Sequence, residues 1–278
     1  MNVLDLFSGG AGGWSLGLHR AGLRTVAACE IDPERRRIYS GNFPWVKVYD
    51  DIRSLSADRL REDGIGPIDV VAGSPPCQDA SEANHRGKGI DGERTGLFFD
   101  FVRLVREVRP RWALAENVPR LRTRGYDRVH DALVAEGYAP RPFVVGAGDL
   151  EAPHVRKRVW IIANAVGFDG RAGATRENRP KTGDGSGVPS GEQVGGIRQP
   201  WSTSPDADES RQLERAFDGE MEWLLEHPWS GGLAGRLRMA HGVPGWLARF
   251  CRSAYGDAVV PQIPEIIGRA IMTQERAA

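Results

Sequence analysis

Residues 68–81 read IDVVAGSPPCQDAS, and this stretch decides how the rest of the chain is interpreted. The apolar run at 68–72, bounded by turn-forming residues, predicts a short buried strand. Pro75 and Pro76 restrict the backbone before Cys77, because proline fixes its own φ and favours an extended residue before it. Cys77 is therefore expected on a stiff turn at the carboxyl end of a strand, where open α/β sheets bind ligands. A buried structural cysteine is the alternative, since free cysteines are mostly buried.

The composition is that of a soluble globular protein. The chain has 278 residues, 40% of them hydrophobic and 27% charged, which predicts one or two domains. Lys and Arg (37) balance Asp and Glu (37), and this zero net charge leaves a nucleic-acid partner open, because local patches create the field. Cys29, Cys77 and Cys251 are too widely spaced for a zinc site or a disulfide framework, so a reducing, cytoplasmic location is expected. No apolar stretch approaches the ~20 residues of a membrane span, and no leader is expected.

Short apolar runs alternate with helical patterns over the first 164 residues. Strands are predicted at 2–7, 25–29, 46–49, 68–72, 112–115, 143–145 and 159–163. Helices are predicted at 14–21, 54–62, 97–108 and 129–137, with a closing helix at 263–272. This alternation implies a doubly wound α/β domain.

Ligand-binding residue types stand where the predicted strands end. A glycine-rich turn at 8–13 follows the first strand and lets a ligand approach the backbone closely. Glu30, at the tip of the second strand, suits the hydroxyls of a ribose, while Asp32 before Pro33 fits a helix N-cap, so the two acids can divide these tasks. The pair 51–52, an acid and an isoleucine, offers an acceptor and an apolar wall to an adenine ring. A helix cap is the alternative there.

Glu116 ends the strand that follows the Cys77 strand, so the two side chains are expected on opposite sides of one small substrate. Residues 156 and 158, both arginines, alternate as on a strand and are expected to face the same side. The polar loop 82–93 is either a mobile lid or an ordinary solvated loop. A basic cluster follows Glu116, and it either holds phosphates or forms a solvated helix face; its members are Arg120, Arg122, Arg124 and Arg128.

The ordered set of these motifs resembles the cytosine-carbon-5 DNA methyltransferases. The resemblance covers residues 2–164 and about 235–272. It depends on the segments Asp5-Leu6-Phe7-Ser8-Gly9, Glu30, Asp51-Ile52, Pro75-Pro76-Cys77-Gln78, Glu116-Asn117-Val118, Arg156 with Arg158, and Gly256 to Pro261. The fold implied is a doubly wound mixed sheet of the S-adenosylmethionine-dependent, Rossmann-like methyltransferase type.

The resemblance implies a covalent mechanism on a flipped cytosine in double-stranded DNA. Cys77 is the expected nucleophile toward carbon 6, and Glu116 is expected to hold ring nitrogen 3 and the amino group. Arg156 and Arg158 are expected to bind the base carbonyl or a nearby phosphate and to favour the thiolate. A monomer that uses no metal is expected.

The resemblance also implies a binding site for S-adenosylmethionine. Phe7 is expected to stack on adenine, Glu30 to bind the ribose, and the glycine turn to take the methionine part. The full set of implied cofactor residues is Phe7, Ser8, Gly9, Gly10, Gly12, Glu30, Ile31, Asp51, Ile52, Pro75, Leu97, Asp257 and Val259.

The sequence departs from the family pattern at four places. The first turn has one glycine more than usual, and Ala80 and His154 replace an aromatic residue and a glutamine. Asp257 stands where asparagine is usual, and an effect on the choice of methyl donor is a hypothesis.

Three regions are expected: a catalytic domain at 1–164, target recognition at 165–235, and a segment at 236–278 that returns to the catalytic domain. The tryptophans of the recognition region are expected to be core rather than base-stacking residues. An RNA (tRNA) cytosine methyltransferase, a non-catalytic DNA-binding regulator and an α/β protein with a structural Cys77 are the alternatives.

Overall fold

A seven-stranded mixed sheet organises the part of the chain that the computed structural model describes, which is residues 1–76, 96–123, 125–150, 152, 155–167 and 258–277. The strands are β1 (Asn2–Leu6), β2 (Arg24–Cys29), β3 (Lys47–Tyr49), β4 (Val70–Gly73), β5 (Trp112–Asn117), β6 (Tyr138–Gly146) and β7 (Lys157–Ala165). Their order is β3-β2-β1-β4-β5-β7-β6. Strands β1 to β5 pair in parallel, while β7 is antiparallel to both of its neighbours. The predicted doubly wound mixed sheet is confirmed.

Helices cover both faces of this sheet. The helices with described bounds are α1 (Gly13–Arg20), α2 (Pro33–Asn42), α3 (Ala57–Glu62), α4 (Leu97–Val108), α5 (Tyr126–Ala135) and α6 (Gln262–Ala277). Phe98 and Phe101 of α4 join the core on one face, and Trp14 of α1 with Ile266 and Ile267 of α6 join the core on the other. Because the central strands are buried on both faces, they read as continuous apolar runs.

Strand β6 is longer than the sequence pattern predicts. The prediction covers 143–145, whereas the strand begins at Tyr138 and includes Pro140 and Pro142. Proline cannot donate to a strand ladder and is normally confined to edge strands, which is where β6 lies. Because of these two prolines, strand propensity does not predict the first half of β6.

The strand register brings the carboxyl ends of the parallel strands to one edge. Leu6 lies opposite Cys29 on one side and opposite Gly73 on the other. Gly73 in turn lies opposite Ala115. The residues that follow these positions must therefore meet at the same edge, and they include both candidate catalytic and candidate cofactor residues.

Candidate active site

Glu116 is a buried acid paired with an arginine at this edge of the sheet. Its Oε1 lies 2.8 Å from Nε of Arg158, and the side chain is 8% exposed. Glu116 lies opposite Trp160 in the antiparallel β5–β7 pair, and Arg158 is two residues from Trp160, so both side chains lie on one face. Burial raises the pKa of Glu116, although the charges of Arg158 and Arg156 lower it in part. The site therefore favours an acid that keeps its proton more readily than a solvated glutamate.

Ser74 and Asn117 fix the turn that leads to Cys77. The Ser74 hydroxyl accepts a hydrogen bond from Nε1 of Trp14 at 3.0 Å and also bonds to the Glu116 carboxylate. Nδ2 of Asn117 donates to the carbonyl oxygen of Pro75 at 3.2 Å. The Pro75–Pro76 turn is thus tied directly to the strand that carries the acid. The sequence reasoning did not include Ser74 among the site residues. Its position immediately after a buried strand is the feature that could have indicated such a role.

Cys77 itself lies outside the described residues, as does the candidate lid 82–93. Pro76, the last described residue before that gap, belongs to the turn just described. Cys29 is the free cysteine within the described ranges, and it is 3% exposed in β2. Burial raises the pKa of the Cys29 thiol to about 12, so this group stays protonated and is a poor nucleophile.

Arg156 differs from its prediction in one respect. Strand β7 begins at Lys157, and Arg156 precedes it with φ 24°, so the expected strand alternation with Arg158 is wrong. Arg156 nonetheless lies near enough to Glu116 to lower its pKa by charge. One of its terminal nitrogens donates to the carbonyl oxygen of Ala258 at 2.6 Å. Arg156 therefore lies between the acid and the residues that precede α6.

The glycine turn between β1 and α1 has backbone conformations that let a ligand approach it closely. Phe7, at its start, has φ 57°, a strained value for a non-glycine residue, and such strain is concentrated at functional sites. Gly12 ends the turn in the left-handed conformation with φ 59°. At Gly13 a Cβ would collide with the carbonyl oxygen of Val259, so a glycine is required for this close approach. Val259 accordingly lies beside the turn. Ser8, Gly9 and Gly10 complete the turn, and Ser8 and Gly10 are buried.

Glu30 joins the turn to the end of β2. Its carboxylate accepts hydrogen bonds from the amide nitrogens of Gly9 and Asp32, both at 2.9 Å. Asp32 caps α2 by accepting from Glu34 and Arg35, so the predicted division of tasks between the two acids is confirmed for the cap. Ile31 is 62% exposed, an apolar side chain presented to solvent at this edge.

The adenine candidates lie at the end of β3. The Asp51 carboxylate accepts from the backbone and side chain of Arg53, which holds the pKa of Asp51 below its usual range. Arg53 makes four contacts with the two carboxylate oxygens, about as many as a carboxylate has lone-pair sites. Ile52 is buried, and its carbonyl oxygen accepts from Arg103 at 2.6 Å. Pro75 is buried and Leu97 half-buried at the start of α4.

Asp5 forms a buried polar network beneath the glycine turn. Its Oδ2 accepts from the backbone nitrogen of Ser15 at 3.2 Å and from the Ser15 hydroxyl at 2.6 Å, and this hydroxyl lies 2.6 Å from the Tyr39 hydroxyl. Asp5 Oδ1 is buried without a hydrogen-bond partner. Burial raises the pKa of Asp5 to about 7. Asp5 thus caps α1 from the neighbouring strand, because Gly12 has no side chain to do so.

Asp5→Asn is expected to remove a pH dependence from the free energy of unfolding. The folded-state pKa of about 7 exceeds the ordinary value of 3.8, so the contribution of Asp5 is fully present below about pH 4 and is lost as pH rises to 7. The wild-type free energy of unfolding should fall relative to that of Asp5→Asn by up to about 4 kcal/mol over this range. Urea unfolding of both proteins at several pH values measures the difference, in which all other titrating groups cancel. A difference that does not change with pH would contradict the expectation.

Several predictions lie outside the described residues. These are Asp257, His154, Arg124 and nearly all of the recognition region 165–235. In the described ranges, His, Cys, Asp and Glu side chains form no group of three or more that could hold a metal ion. None of the helices with described bounds has the length and apolarity that a membrane crossing requires.

Comparison with known proteins assigns this arrangement to a class. The solved chains that superpose on it include a DNA modification methyltransferase described as encoded within a prophage (E. coli), with a TM-score of 0.51, 35% identity, and coverage of 59% of this chain and 47% of the other. Spodoptera frugiperda DNMT2 shares the fold, with a TM-score of 0.50, 22% identity, and coverage of 60% and 51%. The sheet is that of the Rossmann-like methyltransferases.

The chain belongs to the family of C-5 cytosine-specific DNA methylases, whose model matches residues 1–190. The type II methyltransferase M1.HphI of Haemophilus parahaemolyticus is 37% identical over 174 residues, which cover 60% of this chain and 46% of that protein. M2.BsuMI of Bacillus subtilis is 38% identical over 172 residues, which cover 59% and 42%. The chain therefore spans about half the length of these relatives.

Proposed function

We propose that the chain is a DNA cytosine-5 methyltransferase that transfers a methyl group from S-adenosylmethionine to a flipped-out cytosine in double-stranded DNA. The observation that carries the proposal is buried Glu116, paired with Arg158 and hydrogen-bonded to Ser74 next to the turn that leads to Cys77. Family membership and the type II relatives support it. They also favour a role in restriction-modification, and the prophage-encoded neighbour favours protection of phage DNA.

The donor fits the edge formed by the ends of β1, β2 and β3. Glu30 would accept hydrogen bonds from the ribose hydroxyls, and Asp51 with Ile52 would hold the adenine. Phe7 and Ile31 offer apolar surface to the ring, and the turn that ends at Gly12 leaves room for the methionine part. When bound, S-adenosylmethionine supplies an electrophilic methyl group on a sulfonium cation.

The protein's own residues must make carbon 5 of cytosine nucleophilic. The Cys77 thiolate forms a bond to carbon 6, and the electron pair of the 5,6 double bond moves toward carbon 5 as nitrogen 3 takes a proton. Glu116 would supply that proton, and its raised pKa, which favours the protonated acid, supports this role. Arg158, and Arg156 behind it, provide positive charge that favours the thiolate and the polarised base. After methylation, a base takes the carbon 5 proton, the electrons of that bond re-form the 5,6 double bond as the Cys77 thiolate leaves, and nitrogen 3 returns its proton to Glu116.

The base must leave the duplex for this chemistry, because carbon 6 is inaccessible within the stack. The segment 82–93 would close over the flipped base, and residues about 165–235 would select the target sequence. We propose a monomer, since a single chain supplies all of the residues named above.

Incubation of the protein with labelled S-adenosylmethionine and either duplex DNA or transfer RNA tests the function. The expected result is label in duplex DNA, recovered as 5-methylcytosine after digestion to nucleosides. A mixed-sequence genomic DNA serves as substrate, so the unknown target is represented. Label in transfer RNA alone would replace the proposal with RNA methylation, and label in neither would contradict it.

A further inference from the structure

A short 3-10 helix at Pro119–Thr123 projects two arginines from the edge that carries Glu116. Leu121 at its centre is fully buried among the side chains of the α4–α5 face. The turn is closed by the Leu121 amide donating to the Val118 carbonyl at 3.0 Å. Arg122 is exposed and Arg120 half-buried on either side of this anchor. We refer to Arg120 and Arg122 as the rim arginines.

The rim arginines make no side-chain contact with the described residues that the fold would depend on. Within the described ranges, neither guanidinium takes part in an ion pair or side-chain hydrogen bond. Other arginines near this edge are occupied: Arg128 lies over the Phe99 ring at 5.3 Å, and Arg103 binds two carbonyl oxygens and Glu107. No group in the described part of the chain neutralises these two positive charges, which makes them available to an anion from outside.

The position of the rim arginines relative to the acid is fixed. Arg120 is four residues beyond Glu116, a span of at most about 14 Å. Asn117, between them, is held to Pro75 and bonds to the Val118 amide at 2.9 Å. A cytosine held by Glu116 stays covalently attached to its own sugar and phosphates. The strand that carries it must therefore pass within side-chain reach of this rim.

We propose that Arg120 and Arg122 bind phosphates of the DNA strand that carries the flipped cytosine. The inference rests on the proposed function and adds a contact surface to it. Arginine forks bind phosphate oxygens, and such contacts position the duplex without reading its sequence. The rim arginines thereby set where along the strand the cytosine stands relative to Glu116.

The salt dependence of DNA binding tests the proposal. Each lost phosphate contact reduces the slope of log affinity against log salt concentration by about 1. The double variant Arg120→Gln/Arg122→Gln is therefore expected to lower this slope by about 2, measured by fluorescence anisotropy on a labelled duplex of mixed sequence. Arg24→Gln is the matched control, because Arg24 is an exposed arginine at the amino end of β2, on the opposite edge of the sheet. That variant loses the same type of charge and should keep the wild-type slope.

The outcomes separate this inference from the proposed function. One outcome is that the wild-type protein methylates DNA while the double variant keeps the wild-type slope. That result would overturn the role of the rim arginines and leave the proposed function standing. A slope loss of about 1 in Arg24→Gln, half that of the double variant, would do the same, since the slope would then report only net charge. No binding and no methylation of DNA by the wild type would overturn both. Calorimetric titration with S-adenosylmethionine, expected to be unchanged, shows that the double variant is folded.

Discussion

Cys77→Ala is expected to abolish the covalent complex that the wild-type protein forms with duplex DNA containing 5-fluorocytosine. Attack of the thiolate on carbon 6 is followed by methylation of carbon 5, and the enzyme is then released only if a proton leaves carbon 5. Fluorine cannot leave as a cation, so the sulfur–carbon bond persists in the wild type. Without the thiol no bond forms, and the shifted band in a denaturing gel disappears completely.

Cys29→Ala is the matched control for that experiment. Cys29 is 3% exposed in β2, and burial raises its pKa to about 12, so it is present as an unreactive thiol. This variant should keep the covalent complex at the wild-type level, as should Cys251→Ala. A complex that survives in Cys77→Ala, or that vanishes only in a control variant, would assign the nucleophile elsewhere and contradict the proposed mechanism.

The edge of the sheet that carries the candidate site could be predicted from the sequence, because its position depends on local patterns. Each parallel strand is a short apolar run that ends at a turn, and parallel pairing brings all such ends to one side. Glu30, Asp51 and Glu116 could thus be placed together before any coordinates. The division of labour at β2 followed from the same reasoning, since Asp32 before a proline is an N-cap signal and Glu30 is not.

Contacts between residues distant in sequence could not be predicted in the same way. The cap of α1 comes from Asp5 on β1, and Ser74 bridges Trp14 to Glu116, so each depends on how elements pack in three dimensions. The alternation of Arg156 with Arg158 in the sequence predicts a strand position for Arg156. Its positive φ and its bond to Ala258 instead reflect the docking of the C-terminal segment. Sequence periodicity carries no information about such a contact.

Glu116→Gln is expected to lower kcat for methyl transfer by a factor of about 10² to 10⁴, the usual contribution of a positioned proton donor. Glutamine has nearly the same size and can still bond to Ser74, but it cannot give a proton to nitrogen 3. Affinity for S-adenosylmethionine should not change, because the proposed ribose and adenine contacts follow β2 and β3, which are not neighbours of β5 in the sheet. Single-turnover methylation with labelled donor measures the chemical step directly.

The pH profile separates proton donation from a structural role. Because burial raises the pKa of Glu116, the protonated acid persists to higher pH than in water and is lost as pH rises through that pKa. The wild-type single-turnover rate should therefore fall as pH rises through the pKa of Glu116. The residual rate of Glu116→Gln should show no such fall. A wild-type profile and a variant profile of the same shape would contradict proton donation even if the variant were slow.

Glu265→Gln provides the matched control, because Glu265 is a buried glutamate paired with arginines outside the candidate site. It lies on α6, 3.0 Å from Arg269 and 3.7 Å from Arg20. Its replacement removes a buried, arginine-paired carboxylate just as Glu116→Gln does, so the two variants share the loss of one arginine–carboxylate contact. If the loss of rate came from destabilised packing, Glu265→Gln would reproduce it. If it came from the missing proton at nitrogen 3, only Glu116→Gln would be slow.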